Sequence, residues 1–438
     1  MLTRSLRLAA ISGSAQKGPN SNLWYGVRFD ITAATPQFER IGNIPLHRIQ
    51  PITSNMKRCT LLDNGNVNYY LHPSDSTKKM DGTNANLTGA DGQVMVEIPA
   101  HYFSETINGN FVDWKFSTYN LPGFTLIPKH YISAFKSTLQ RSNSKLSSVI
   151  NLTADFRGGN NNAAWDAEGR TLIGKAATAF SRTQGRTYAA NRGAGWVMAI
   201  PTTYNAWRRL CYAEFATRNL QLAFNDTLTA DGFRQGGLGA GVTTANSTEW
   251  SNYNGYYPLL NVGVTTGFGN ATGVIDVVVA NLGGAGVNRT LQANSYRGIE
   301  NPFGDIWEWL DGYNMWAQTV GEGDKFLLYA RDATSGLADG TSVGYNLIGE
   351  LPRTENYVRT LQTGHLFPKV VGGTGAGSTT FWCDYFYTNA ATSFGWRAPY
   401  VGGVAVNGSS AGLVYVYSYY AASSASASVG SRLCFLGA

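Results

Sequence analysis

The sequence predicts a β-rich α+β fold with few helices. Three observations point there. Glycine is abundant, at 51 of 438 residues, and favours turns and irregular loops over long helices. Short segments alternate apolar and polar residues at period two, the spacing of a half-buried strand. Only one segment, residues 201–215, carries apolar residues at convincing helical spacing. The length exceeds one small core and predicts two domains. These are a small β-rich N-terminal domain at residues 1–85, for assembly or attachment, and a larger domain at residues 86–438. The second carries an insertion at about 220–290 and a distinctive C-terminal segment at about 395–436.

The elements follow in order. Leu23 to Asp30 alternates and reads as a strand. Asp63-Asn64-Gly65-Asn66 is a turn signal between Cys59–Leu62 and Val67–Leu71, which gives a β-hairpin. Pro73 to Gly92 is polar and charged and is expected as a linker; Gln93 to Pro99 opens a new strand. At Pro201-Thr202-Thr203 a threonine hydroxyl can cap a helix start. Beyond it Trp207, Leu210, Cys211 and Phe215 share one face that should pack on a sheet, while Arg208, Arg209 and Arg218 lie elsewhere on the wheel. Residues 220–290 show little periodicity. Ile306 to Leu310 reads as a buried strand, Phe381–Phe386 as strand-like, and Leu413–Tyr420 as a long β segment. Ala421–Ser428 is almost only Ala and Ser, and Ser431–Leu436 closes the chain as a strand.

Composition excludes several classes. Charged residues make up only 14%, and the net charge of +6 comes from scattered Lys and Arg, so no nucleic-acid footprint is read. No stretch approaches the roughly 20 apolar residues of a membrane span. Met1–Ala10 lacks the apolar run of a signal peptide. The expectation is a protein made in a cytoplasm that leaves as part of an assembly. Cys59, Cys211, Cys383 and Cys434 show no metal-ligand spacing. They read as buried thiols, with a Cys383–Cys434 bridge as the alternative. Of the five histidines (His47, His72, His101, His130, His365), no two stand at a metal-binding spacing, and no metal or cofactor is expected. The glycine runs at 236–241 and 372–377 are loops rather than phosphate cradles. Asp305, Glu308 and Asp311 could hold calcium, but carboxylates beside a Trp-rich turn more often cap or pair with arginine.

Two signatures, in order with the 201–215 helix, resemble the C-type-lectin-like fold in its formylglycine-generating-enzyme branch. One is Asn301–Trp309, ending in Trp307-Glu308-Trp309; the other is the terminal Gly430-Ser431-Arg432-Leu433. The cysteine pattern departs from that branch's copper-holding pair, so its oxidase activity does not carry over, and no catalytic residue is assigned. Gly395 to Phe435 is more closely similar to the variable region of retroelement-diversified proteins, the phage major tropism determinant family. The frame is Gly395-Trp396-Arg397, Gly402-Gly403, Gly408, Ala411-Gly412, Ala421-Ala422 and Gly430-Ser431-Arg432-Leu433. Arg40–Asn43 and Asp91–Pro99 also look like the conserved-type body of such proteins.

Diversification in that family replaces template adenines, so a template Asn codon cannot yield Trp, Met, Lys, Gln, Glu or a stop. The positions that align with template Asn are Val404, Val406, Asn407, Ser410, Tyr417, Tyr419, Tyr420, Ser424, Ser426 and Ser428, and all are reachable. Tyr400 joins them as a ligand-binding position. The stretch Tyr400–Ser431 contains none of the five excluded types. Tyrosine offers rigid amphipathic contact, and Ser and Asn offer adaptable hydrogen bonds. On a 413–420 strand, Tyr417 and Tyr419 would share one face. The resemblance implies a phage tail-tip receptor-binding adhesin located on the virion tail fibre, a homo-oligomer with a trimer as the expected form, that gains avidity. Its partners would be a bacterial cell-surface receptor, protein or glycan, and other tail proteins. A bacterial surface-displayed variable protein is the alternative, and a formylglycine-generating-type oxidase a third.

Overall fold

The computed structural model describes residues 22–437; the reading of Met1–Ala10 lies outside them. The β-rich α+β expectation holds, with several sheets and, among the described residues, four α-helices. The helices are α1 (Ile44–Ile49), α2 (Arg182–Ala190), α3 (Pro201–Phe215) and α4 (Ser247–Asn254).

The strand Trp24–Asp30 forms as its alternation predicts and buries Tyr25, Val27 and Phe29. It pairs antiparallel with Glu39–Gly42 and with Phe111–Ser117 in a 5-stranded sheet. The predicted hairpin also forms, from Lys57–Leu61 and Val67–His72. Its turn depends on Gly65, at φ +82°, and on the Asn64 side chain, which accepts from the Asn66 N–H at 3.0 Å. Two expectations are corrected here. The division at residue 85 does not exist, because Lys57–Leu61 pairs with Gln93–Ile98 and Trp24–Asp30 with Phe111–Ser117. One apolar core also runs across that point, from Tyr25 through Val96 to Val416. Nor is Pro73–Gly92 a linker. Asp75–Lys79 is a strand, Leu87 is buried, and the buried Ser76 hydroxyl accepts from Arg58 at 2.9 Å. Composition described that stretch correctly as polar, but ladder bonds to Val67–His72 decide its state.

α3 spans the predicted residues, with Pro201 at its first turn where the missing N–H is harmless. The cap differs from expectation. Ile200 precedes the helix, and the Thr203 hydroxyl accepts from the Ile200 N–H at 3.0 Å. Thr202 instead bonds the Asp332 carboxylate. The helix is buried on nearly every side rather than on one stripe. Arg208 and Arg209 are therefore interior, and their guanidinium planes lie over Tyr204 (4.0 Å) and Phe103 (4.4 Å).

Residues 220–290 are more regular than expected. They hold α4, whose Asn246 side chain caps Thr248 and Glu249, and the strand Gly273–Val279 paired with Arg289–Tyr296. Val242, Trp250, Leu259 and Leu291 give this part a core, into which Val404 and Ala405 also pack.

The closing strand, Leu433–Leu436, runs between His130–Ser133 and Trp196–Met198, inside a 7-stranded sheet that also contains the hairpin. A second 7-stranded sheet has the order Pro368–Val371, Asn356–Leu361, Tyr385–Tyr387, Val416–Tyr417, Tyr400–Val401, Trp307–Trp309, Val429–Gly430. Two strand readings shorten here. Phe381 and Cys383 take positive φ, so of Phe381–Phe386 only Tyr385 and Phe386 are strand, in Tyr385–Tyr387. Of 413–420 only Val416–Tyr417 is strand, because Gly412–Tyr415 turns into the core with Leu413, Val414 and Tyr415 fully buried. All four cysteines are buried free thiols.

Candidate ligand-binding surface

The second 7-stranded sheet mounts a field of aromatic rings. Opposite residues in a ladder share a face, and the registers align tyrosines across neighbouring strands. Tyr357 faces Tyr385, Tyr387 faces Tyr417, Tyr417 faces Tyr400, and Tyr400 faces Trp309. Alternation sends Val358, Phe386, Val416 and Val401 to the other face, where all are buried in the core. Ring centroids are 5.0 Å apart for Tyr357–Tyr385, 4.4 Å for Tyr385–Tyr387, 5.8 Å for Tyr387–Tyr417 and 4.6 Å for Tyr417–Tyr419. Tyr417 also stacks nearly parallel on Tyr400 and lies 4.9 Å from Trp307.

The proposed positions separate into two groups. Tyr417 and Tyr419 are half-buried and Tyr420 is 46% exposed. Val406, Asn407, Ser410, Ser424 and Ser426 also keep partial exposure. Tyr400, Val404 and Ser428 do not, with exposures of 1%, 2% and 6%, and their assignment to a displayed surface is corrected. Tyr400 is wedged against Trp307 and Trp309, with Phe180 and Ala398 in the same cluster. Val404 fills the core of the 220–290 region. Asn407 has a structural duty as well, since its Oδ1 accepts from the Val404 N–H at 2.8 Å.

The Ala/Ser run is held by its backbone. Carbonyls of Tyr420, Ala422, Ser426 and Ser428 accept from the N–H groups of Ala398, Arg182, Ala179 and Trp307. Main-chain bonds are indifferent to side-chain identity, so the scaffold stays fixed while the side chains at 423–427 keep partial or full exposure. The glycine frame has steric reasons. A Cβ on Gly412 would meet Asp384 Oδ1 at 2.1 Å, and Gly403, at φ +81°, would press a Cβ to 2.7 Å from Ala411.

The two signatures, Asn301–Trp309 and Gly430–Leu433, meet in the interior. Arg432 donates to Glu308 Oε1 at 2.8 Å and to the carbonyls of Glu300 and Asn301. Lys136, which no sequence pattern marked, reaches the same Glu308 oxygen at 2.8 Å. Burial alone would raise the Glu308 carboxyl, but Arg432, Lys136 and Arg208 outweigh it and hold it below the usual range. The other two carboxylates weighed for calcium are also engaged. Asp305 accepts from the Leu259 N–H and Asp311 pairs with Arg186. Among the described residues no group of three His, Cys, Asp or Glu is placed to hold a metal.

Electrostatically the ring field is neutral. Burial, together with neighbouring phenols, keeps Tyr417 well above its ordinary value. Tyr419 is raised by burial and by its bond to Glu355 Oε2, at 2.5 Å. The phenols thus stay protonated donors, and Glu355 is the acid that touches them. Sequence reasoning missed Tyr357, Tyr385, Tyr387 and Glu355, because only strand order brings 355–387 beside 417–420. No protein-family model matches this chain, and no curated protein matches it.

Proposed function

We propose that this protein is a receptor-binding adhesin of a phage tail tip, with a C-type-lectin-like body that displays a diversifiable surface to a bacterial cell-surface ligand. One observation carries the reading. The segment 417–428 is pinned by backbone bonds from fixed elements, while Tyr417, Tyr419 and Tyr420 stand on a neutral aromatic face and Ser424 and Ser426 keep partial exposure. A scaffold of that kind tolerates side-chain exchange without refolding, and Tyr with Ser is the composition of adaptable paratopes. Assembly with other tail proteins, and a homo-oligomer that multiplies weak contacts, belong to the same proposal.

The test is to sequence this locus across a phage population. Substitutions should concentrate at Val406, Asn407, Ser410, Tyr417, Tyr419, Tyr420, Ser424 and Ser426, and a reverse-transcriptase gene with a near-copy of the 395–435 coding segment should lie nearby among tail genes. Uniform conservation of those positions would remove the reading.

A further inference from the structure

The aromatic field does not stop at the segment read as variable. Tyr357, on Asn356–Leu361, and Tyr385 and Tyr387, on the strand beside it, are half-buried and continue the row from Tyr417 without a gap. Their sheet register is fixed by Tyr357↔Tyr385 and Tyr387↔Tyr417. Glu355, one residue before that strand, orients Tyr419 from outside the segment. Resting on the reading above, we propose that the binding surface has two halves. Tyr357, Tyr385 and Tyr387 form a constant half that contacts every ligand, and Tyr417, Tyr419 and Tyr420 form an exchangeable half that selects among them.

The geometry explains why a constant half would be useful. A residue that varies between copies cannot guarantee affinity, whereas rings fixed in a sheet supply contact area at little entropic loss, because their rotamers are already restrained by neighbours. The partner that fits is a folded protein surface. Strands lie about 4.8 Å apart, so the rings on Asn356–Leu361, Tyr385–Tyr387 and Val416–Tyr417 cross about 10 Å, the scale of the compact tyrosine-rich cluster at the centre of a protein interface. The face is aromatic and hydroxyl-rich and carries little charge, which matches the depletion of charged residues at interface centres.

The experiment uses the full chain. Display it with Val406, Asn407, Ser410, Tyr417, Tyr419, Tyr420, Ser424 and Ser426 randomised, and select separately on hen lysozyme, serum albumin and amylose. Introduce Tyr357→Ser, Tyr385→Ser and Tyr387→Ser singly into the binders, with the corresponding Phe variants as ring-preserving controls and thermal melting as the check on folding. The expected result is binders to both proteins, each losing tenfold or more in affinity with the Ser variants, which still unfold cooperatively at a modestly lower melting temperature, and recovering most of it with Phe. Binders that tolerate all three Ser changes within twofold would overturn the constant half and leave the variable surface standing. Binders to amylose alone would overturn the protein partner. A library that yields no binder would overturn both the inference and the reading beneath it.

Discussion

Replacing Tyr400 by serine tests how the C-terminal segment divides between frame and display. Tyr400 lies among positions whose side chains are read as exchangeable, yet it is 1% exposed, 4.4 Å from the Trp309 ring and stacked on Tyr417. A tyrosine buries about 150–250 Å². At about 25 cal/mol per Å², less roughly a third for residual burial in the unfolded chain, the loss is about 2.5–4 kcal/mol. Large-to-small changes at buried aromatics fall in the same range, about 3–5 kcal/mol. Tyr420, 46% exposed, leaves half its surface in water in the folded state, so Tyr420→Ser should cost about 1 kcal/mol or less. Tyr400→Phe separates ring from hydroxyl. That hydroxyl is buried without a hydrogen-bond partner, so its removal should be neutral or slightly stabilising. Urea unfolding followed by tryptophan fluorescence reads all three as midpoint shifts at constant slope. If Tyr400→Ser proves as mild as Tyr420→Ser, the ring is not a structural member and the partition drawn from burial is wrong.

Other outcomes follow from the interior. Glu308→Ala strands Lys136 and Arg432 without their shared carboxylate and should cost about 3–5 kcal/mol, read by urea denaturation; a loss under 1 kcal/mol would mean the cluster is not dry. Gly412→Ala drives a methyl into Asp384 and should lower stability by at least about 1–3 kcal/mol, visible as a fall in melting temperature. Under the proposed function, Tyr417→Ser and Tyr419→Ser should weaken adsorption to a bacterial host at least tenfold while the protein still unfolds cooperatively. Acid should destabilise the fold in a defined window. Burial lowers the His101 and His130 imidazoles from 6.5 to about 4, so the unfolded chain binds protons at a pH where the native state does not. Stability should therefore be full above pH 6.5 and fall toward pH 4, by up to about 1.4 kcal/mol per pH unit for each ring. Calorimetry from pH 8 to 4 would show it, and a flat profile would contradict the burial.

Local pattern was legible in the sequence where local physics decides. Alternation gave Trp24–Asp30, the Asn64-Gly65 turn gave the hairpin, and helical spacing gave α3. α1, α2 and α4 were missed, because they span 6, 9 and 8 residues, too short for periodicity to rise above composition. Long-range pairing was not legible. Nothing near residue 85 announces that Lys57–Leu61 bonds Gln93–Ile98. For the same reason the candidate surface was half visible. Tyr417, Tyr419 and Tyr420 stood out as a run, whereas Tyr357, Tyr385 and Tyr387 become their neighbours only through the order of the sheet. Burial of Tyr400, Val404 and Ser428 depends on the elements that cover them, which side-chain type alone cannot report.

The interior position of Leu433–Leu436 has a consequence for how such a protein could sample new sequences. A nascent chain that lacks these four residues leaves two strands, His130–Ser133 and Trp196–Met198, with raw edges and an open core. Any frameshift introduced upstream, between 400 and 428, removes the keystone and condemns the product before it can be assembled, whereas a simple exchange of side chains leaves it in place. Folding itself would then sort readable copies from broken ones.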